Sequence, residues 1–468
     1  MKHYLLFFIT IFLFTPASLA KIFMDVEEDP IPIVDLTVII PQGSVGTNIG
    51  ESVAASFLDE ILVSGTLSKD KQAFNDALSK YGVDYSFTLG RHYSYWSLSF
   101  PYIKESNYEP LIKLLEENWE QPRFTEKQFQ LGKLKFEAAY KSSLDRDMSL
   151  LSSLMSNWID EKEFSTPAVF LDDIQKRASL EESKLYFENR IRNSKDAWVG
   201  TITPKDSLPL VEKILNTVFH RQGSISRGER HSELASNIKP VAKISQRKTF
   251  LLIDKAGQAQ TIMGVRSLSP QKTMQKDELE FFFGDFLLFS NGLDSYYANV
   301  IRTEKGLAYS VSGSSTNFRG QRLMGFTSNP QASKQEEAFS TIAELLKKTY
   351  DKGQNLEIIP EERWNRVLNG FRNMKALDNG LPDQRLSNRM GVVTGGQSYD
   401  LATSDPSDWN IRKDRVASIL ENHWNTSTRI VGAVGDARKL QGLAKKYFPE
   451  FELVTIPYKN AIYSSSIR

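Results

Sequence analysis

Arg302 and Tyr309 have side chains that could stabilise negative charge on a reacting oxygen. A tyrosine hydroxyl is a neutral hydrogen-bond donor, suited to an oxyanion that develops during a reaction. An arginine presents a rigid fork of donors to carbonyl or carboxylate oxygens. By itself the pair is a weak signal, because a surface salt bridge and a packed ring would leave the same pattern in a sequence.

A second polar group, Ser56, Asp59 and Glu60, lies within an apolar pattern that predicts a helix. The apolar positions are Val53, Phe57, Leu58, Ile61 and Leu62. The spacing i, i+3 and i+4 places the three polar side chains on one helix face. Two carboxylates there could hold a hard cation weakly, but we interpret them as ordinary surface carboxylates.

The sequence predicts no zinc site in this chain. A serine hydroxyl is a poor zinc ligand, and the chain has no cysteine. No two of its five histidines have the spacing of a zinc-binding pair; they are His3, His92, His220, His231 and His423.

The neighbouring residues predict the elements that position these groups. Gly65 is a suitable stop for the first helix. Residues 293–301 have a helical pattern, Gly306 permits a turn, and residues 307–311 have the pattern of a strand.

The chain has two similar halves. Residues 124–126 and residues 359–361 open helical patterns with aromatic residues at matching offsets, 235 positions apart. Gly200 and Gly432 each lie in an apolar strand that is followed by a helical pattern. Agreement of order and spacing predicts a duplicated unit, although chance similarity of amphipathic helices is the alternative.

Strands and helices without strict alternation predict an α+β fold. We expect two tandem homologous domains, at residues 30–222 and 248–460. The polar segment 223–247 has the composition of a linker.

Residues 1–20 are typical of a secretory signal peptide, with a short apolar run and small residues before the expected cleavage site. We therefore expect export, and a periplasmic location. The 58 basic and 57 acidic residues give no reason to propose nucleic acid or a charged membrane as a partner.

Residues 55–66 resemble the inverted zinc-motif helix of the insulinase/pitrilysin metallopeptidase family, His-x-x-Glu-His. The resemblance places Ser56 and Glu60 at the two histidine positions and Asp59 at the catalytic glutamate. It places Ala139 at the third ligand, with Glu137 on a different helix face. It therefore implies a degenerate, zinc-less site.

Residues 302–309 resemble the family's Arg-x-x-x-Gly-Leu-Ala-Tyr signature. In active relatives this arginine contacts the substrate backbone and this tyrosine helps to stabilise the tetrahedral intermediate. The resemblance implies these roles for Arg302 and Tyr309, acting in trans at the zinc of a homologous partner subunit.

The family also implies mostly antiparallel sheets, half of a clamshell chamber, and an extended peptide that adds to a sheet edge. Residues 82–89 match that edge, so the expected substrate-binding residues are Gly82, Val83, Asp84, Tyr85, Ser86 and Phe87. Two alternatives stay open: a catalytically dead peptide-binding or scaffold protein, and an independent enzyme that uses carboxylates or another metal.

Overall fold

Two six-stranded sheets form the framework of the chain. The computed structural model describes residues 21–44, 46, 48–165, 168–195, 197–222, 224–227, 244–269, 277–318, 321–350, 356–395 and 404–463. The strands of the first sheet are β1 (Lys21–Glu28), β2 (Ile33–Ile40), β3 (Asp84–Leu89), β4 (Ser94–Pro101), β5 (Trp198–Thr203) and β6 (Ser224–Arg227). Those of the second sheet are β7 (Lys248–Asp254), β8 (Ile262–Leu268), β9 (Ala308–Phe318), β10 (Gln321–Pro330), β11 (Thr428–Gly435) and β12 (Glu452–Pro457).

The two sheets have one topology. Their orders are β3-β4-β2-β5-β1-β6 and β9-β10-β8-β11-β7-β12. In both, the first three neighbouring pairs are antiparallel and the last two are parallel. Gly200 lies on β5 and Gly432 on β11, which are equivalent strands. The predicted α+β fold with two homologous, mostly antiparallel units is therefore confirmed.

The helices follow the same repeat. In the first half they are α1 (Ile49–Ala55), α2 (Leu58–Leu62), α3 (Lys71–Ser79), α4 (Glu109–Glu120), α5 (Glu126–Asp145), α6 (Asp147–Phe164), α7 (Leu171–Arg177), α8 (Leu180–Tyr186) and α9 (Leu208–Val218). In the second they are α10 (Glu278–Asp285), α11 (Tyr296–Ala298), α12 (Gln335–Tyr350), α13 (Glu361–Gly380), α14 (Pro382–Gly395), α15 (Lys413–Thr426), α16 (Ala437–Tyr447) and α17 (Tyr458–Tyr463). Both α5 and α13 have 20 residues, and their first residues are separated by the 235 positions that the sequence repeat predicts.

Short 3-10 and π-helical segments complete the described elements. The 3-10 turns are Lys205–Ser207, His220–Gln222, Gly292–Asp294, Ala332–Lys334 and Pro406–Asp408. The π-helical segments are Phe187–Arg192, Phe286–Ser290 and Asn299–Glu304.

Each half contributes one helix to the sheet of the other half. Helix α6 packs against β8, β10 and β11 of the second sheet, and α14 packs against β2 and β5 of the first. In both contacts the helix packs over one of the two equivalent glycines, Gly432 or Gly200. A Cβ atom on Gly432 would lie 2.7 Å from Leu151 Cδ1 of α6, and one on Gly200 would lie 2.6 Å from Leu386 Cδ1 of α14. The glycines therefore give the exchanged helices room to approach the strands.

Ion pairs join α14 to β1 across the two halves. Arg385 Nε lies 2.6 Å from a carboxylate oxygen of Glu27, and Arg385 Nη2 lies 2.6 Å from one of Asp29. Arg389 contacts Asp25 at 3.0 Å and Glu27 at 2.6 Å. Asp25 and Glu27 alternate along β1 and therefore share one face of the sheet, and Asp29 follows the strand at the same spacing; α14 covers this face.

We expect Gly432→Ala to destabilise the protein by about 1–3 kcal/mol, because the new methyl group overlaps Leu151 of α6. Urea unfolding of the mature chain measures the change. Gly370→Ala is the matched control: Gly370 lies in α13 with open space around it, so alanine there should stabilise by about 0.5–1 kcal/mol. Equal unfolding midpoints for the two variants would contradict this role of Gly432.

The first sheet extends beyond the predicted limits of its domain. Strand β1 starts at residue 21, before the expected boundary at residue 30, and β6 lies within the predicted linker. Acidic residues are depleted in strands, so the sequence of β1 does not have a typical strand pattern. In the structure these acidic residues form ion pairs with arginines of α14. The expected signal peptide and residues 228–243 lie outside the described residues. Within the described chain, no helix is both long enough and apolar enough to span a membrane.

Candidate functional site

The segment that resembles the zinc-motif helix is interrupted. The sequence predicts one continuous helix, but α1 ends at Ala55 and α2 begins at Leu58. The prediction of a single helix face for Ser56, Asp59 and Glu60 is therefore wrong. Ser56 donates its hydroxyl to the Ser52 carbonyl at 2.9 Å, a local bond that competes with regular helix. The adjacent Phe57 ring packs against Phe129 and Phe136 of α5, which anchors the bend.

Ser56 and Asp59 line a cavity of about 290 Å³. Its other walls come from the loop after β2, the end of β3, and helices α1, α5 and α6. The remaining lining residues are Ser44, Ser52, Leu89, Arg91, Phe136, Asn157, Ala168 and Val169. The structure thus brings two of the four degenerate zinc-motif positions together around one space.

Glu60 and Ala139 lie apart from this cavity. Glu60 contacts Lys135 of α5 and lies 3.7 Å from Lys71. Ala139 is exposed on α5 and lies outside the set of residues that line the cavity. The half-buried Glu137 is likewise outside it.

These residues do not fit a zinc ion. Tetrahedral zinc needs imidazole, thiolate or carboxylate ligands that converge on one point. Here the residues that line the cavity provide one carboxylate and no imidazole or thiolate. Among the described residues there is no group of three or more histidine, cysteine, aspartate or glutamate side chains that could hold a metal.

Asp59 is the acidic group of the cavity. The residue is exposed to the cavity. Partial burial of its carboxyl, which disfavours the charged form, raises the pKa of Asp59 above its usual value. A hydrogen bond from the Glu60 backbone N–H, at 2.8 Å, partly offsets this by stabilising the charged form. Within the described chain, no lysine or arginine forms an ion pair with Asp59. It is therefore a hydrogen-bond acceptor that faces open space.

Arg91 and Asp160 form an ion pair beside the cavity that the sequence did not reveal. Asp160 lies on α6 and is 3% exposed, so a cationic partner is needed to keep its charge buried. The two residues are 69 positions apart. The path of α6 brings them together, and no sequence pattern around either residue predicts the contact.

Strand β3 forms an edge of the first sheet. Within the described chain it pairs only with β4. Of the expected substrate-binding residues, Asp84 and Ser86 are exposed, Tyr85 is half-buried, and Phe87 is a core residue at 4% exposure. Gly82 and Val83 precede the strand, where Gly82 adopts a positive φ of 63°. The strand therefore offers its backbone and the polar side chains of Asp84, Ser86 and Thr88 to solvent.

A buried hydrogen-bond network fixes β3 relative to α2. Tyr85 donates its hydroxyl to Asn118 Oδ1 at 2.7 Å. The amide of Asn118 donates in turn to the carbonyls of Leu62 and Gly65 at the end of α2. The edge strand and the helix that carries Asp59 are thus held by one amide group of α4.

Arg302 and Tyr309 lie together at the equivalent edge of the second sheet. Tyr309 is the second residue of β9, whose neighbour in the described chain is β10. Gly306, with φ of 56°, makes the predicted turn. The Arg302 guanidinium lies 4.9 Å from the centre of the Tyr309 ring, a distance typical of a cation–π contact.

Tyr309 is exposed, although the two residues before it are buried. Leu307 is fully buried and Ala308 is 6% exposed, whereas Tyr309 is 77% exposed. No described residue forms a hydrogen bond with the Tyr309 hydroxyl or an ion pair with Arg302. The structure therefore presents two donors side by side without an acceptor from the described chain.

Residues 193–371 match a protein family described as the peptidase M16 inactive domain. The matched range contains Arg302, Tyr309 and the turn between them. No curated protein matches the chain significantly in sequence.

Several solved structures share the fold. An M16 inactive domain from Pseudomonas fluorescens has a TM-score of 0.70 at 14% identity, covering 88% of this chain and 94% of that one. A protease from Helicobacter pylori has a TM-score of 0.66 at 12% identity, covering 88% and 96%. The periplasmic protease PqqL from Escherichia coli has a TM-score of 0.61 at 12% identity, covering 87% of this chain but 43% of that one.

At these identities the structural matches establish the fold alone. The family match adds the sequence relationship, and together they confirm the resemblance that the motifs indicated. Residues 193–371 are therefore similar to the M16 domain type described as inactive, and the chain as a whole shares the fold of the M16 inactive domain from Pseudomonas fluorescens.

Proposed function

We propose that the chain is the non-catalytic, zinc-less subunit of a two-chain periplasmic metallopeptidase. In this proposal a homologous partner subunit carries the zinc, and this chain supplies Arg302 and Tyr309 to the partner's site. A peptide is the substrate. The expected signal peptide and the periplasmic relative from Escherichia coli support the location.

The exposure of Tyr309 carries the proposal. Tyrosine side chains are partly buried on average, and Tyr309 is the second residue of β9, directly after buried Leu307 and Ala308. Instead 77% of Tyr309 is exposed, and Arg302 lies over its ring. A side chain kept in this position is available to a second molecule, and its hydroxyl lacks an acceptor within the described chain.

The chemistry of the pair suits peptide hydrolysis. The partner's zinc would supply the activated water. In this chain the Tyr309 hydroxyl would donate a hydrogen bond to the oxygen of the scissile carbonyl as that oxygen becomes negative. The Arg302 guanidinium would donate to a backbone carbonyl of the substrate and so fix its position.

Reconstitution with a zinc-bearing homologue from the same organism tests this function. We expect the mature chain alone to cleave no peptide, the mixture to cleave it, and a chelator to abolish that activity. The readout is cleavage of an unstructured, internally quenched peptide. Chelator-resistant cleavage by this chain alone would contradict the proposal and favour an independent enzyme.

A peptide-binding or scaffold protein without a role in hydrolysis is the second candidate. The unpaired edge of β3, with exposed Asp84 and Ser86, favours it, because an extended peptide can add to such an edge. If this chain binds peptide but leaves the partner's turnover unchanged, the scaffold function replaces the catalytic one.

A further inference from the structure

We propose that the cavity at the degenerate zinc site binds the free amino terminus of an extended peptide, with Asp59 as the residue that accepts the ammonium group. This inference rests on the proposed addition of peptide to β3. It assigns a ligand to the space in which the family resemblance places a metal. It also makes Asp59 a determinant of specificity.

The direction of β3 places one end of a peptide at this cavity. Leu89 is the last residue of β3 and also lines the cavity. The existing neighbour of β3 is antiparallel, and antiparallel pairing is the more stable arrangement per residue. A peptide that adds to the free edge in antiparallel orientation has its amino terminus beside Leu89. Its terminal ammonium group would therefore enter the cavity.

Asp59 is the carboxylate that lines the cavity and can accept a cationic group there. Arg91 is paired with Asp160, so these two charges largely cancel. Glu60 is paired with Lys135 and Lys71. Asp59 forms no ion pair within the described chain, and Lys135 acts on its carboxyl only through the electrostatic field, so its second oxygen can accept a hydrogen bond from a cation in the cavity. A hydrogen bond between this carboxylate and an ammonium group is of the strong, charge-assisted kind.

The hydroxyl next to Asp59 also favours a donor ligand. Ser56 uses its proton in the hydrogen bond to the Ser52 carbonyl at 2.9 Å. The lone pairs of its oxygen remain as acceptors. An ammonium group has three N–H donors and no acceptor, so it matches Asp59 and Ser56 together. A carboxylate would meet acceptors on this side of the cavity.

The space is large enough for more than the charged group. About 290 Å³ is close to the lower limit of small-ligand sites, which start at about 300 Å³. Leu89, Phe136 and Val169 provide apolar walls. The cavity can therefore take the amino group and the side chain of the first residue.

Three peptides of one sequence test the inference on the mature chain. Each has about ten residues, the upper range of a natural strand, an amidated carboxyl terminus and a fluorescent label on its last side chain. The first has a free amino terminus, and the second is N-acetylated. The third has a free amino terminus but carries N-methyl groups on alternate amides, which prevent strand pairing. Fluorescence anisotropy measures the Kd of each.

We expect acetylation to weaken binding about tenfold, the loss of roughly one charge-assisted hydrogen bond. In Asp59→Asn the free peptide should bind as weakly as the acetylated one, and the acetylated peptide should be unaffected. The control variant is Asp172→Asn, which removes a carboxylate of α7 that is paired with Lys176. It should preserve the full difference between the two peptides.

Equal affinity of the free and acetylated peptides would overturn the inference. If the N-methylated peptide still binds weakly in that case, addition to β3 stands while the assignment to Asp59 fails. If the N-methylated peptide binds as well as the free one, or if no peptide binds, peptide addition to β3 fails and the inference fails with it. Tighter binding of a peptide with a free carboxyl terminus would indicate the opposite chain direction and would also overturn it.

Discussion

Tyr309→Phe is expected to lower the turnover of the reconstituted two-chain peptidase by about 100-fold while leaving assembly intact. The substitution removes one hydroxyl and keeps the ring. Loss of a single donor to a developing oxyanion commonly reduces kcat by about 10²–10³-fold. Because the proposed hydrogen bond forms only as the carbonyl oxygen becomes negative, kcat and kcat/KM should fall together. Steady-state kinetics of the mixture at saturating partner concentration measure both constants.

Tyr447→Phe is the matched control for this experiment. The Tyr447 hydroxyl lies on α16, 3.3 Å from Glu336, and has no place in the proposed site. Its removal should leave turnover unchanged. Co-purification of both variants with the partner separates assembly from catalysis. If Tyr309→Phe and Arg302→Ala both retain the rate of the unaltered mixture, donation of these groups in trans is excluded.

Arg389→Ala should destabilise the folded chain by about 2–3 kcal/mol. Arg389 contacts Asp25 and Glu27 across the two halves, and the side chains of Arg389 and Asp25 are 13% and 9% exposed. Removing one partner of a buried ion pair leaves the other charge without compensation, at about 3–5 kcal/mol. We take a smaller value because solvent still reaches part of this pair. The midpoint and slope of urea unfolding give the change.

Arg412→Ala provides the comparison for this variant. Arg412 pairs with Asp414 on the surface, and both side chains are well exposed, so its removal should leave the unfolding midpoint unchanged. Asp25→Asn combined with Arg389→Ala should recover part of the lost stability, since it removes the uncompensated carboxylate. An Arg389→Ala midpoint equal to that of Arg412→Ala would show that solvent screens the contact between the halves.

The repeat was predictable because it leaves local traces. The start of α13 lies at the offset predicted from α5, and Gly200 and Gly432 lie on equivalent strands. Apolar periodicity and glycine positions are properties of short windows. They therefore reveal the fold class without knowledge of the long-range contacts.

The candidate site was only partly predictable, for reasons of distance and geometry. The bend after Ala55 depends on a hydroxyl–carbonyl bond and on aromatic rings from α5, which helix periodicity does not record. The Arg91–Asp160 pair depends on the path of α6. The roles of Arg302 and Tyr309, and of the substrate-binding edge, remain proposals that the experiments above address.

The exchange of α6 and α14 has a consequence for the biogenesis of the protein. A chain that is synthesised from its amino terminus completes β1 to β5 long before residues 382–395 emerge. Until then, the face of the first sheet around Gly200 and the acidic row of β1 lack their cover. The first half therefore cannot complete its folding during synthesis before the second half follows. Its final packing must wait for the last third of the polypeptide.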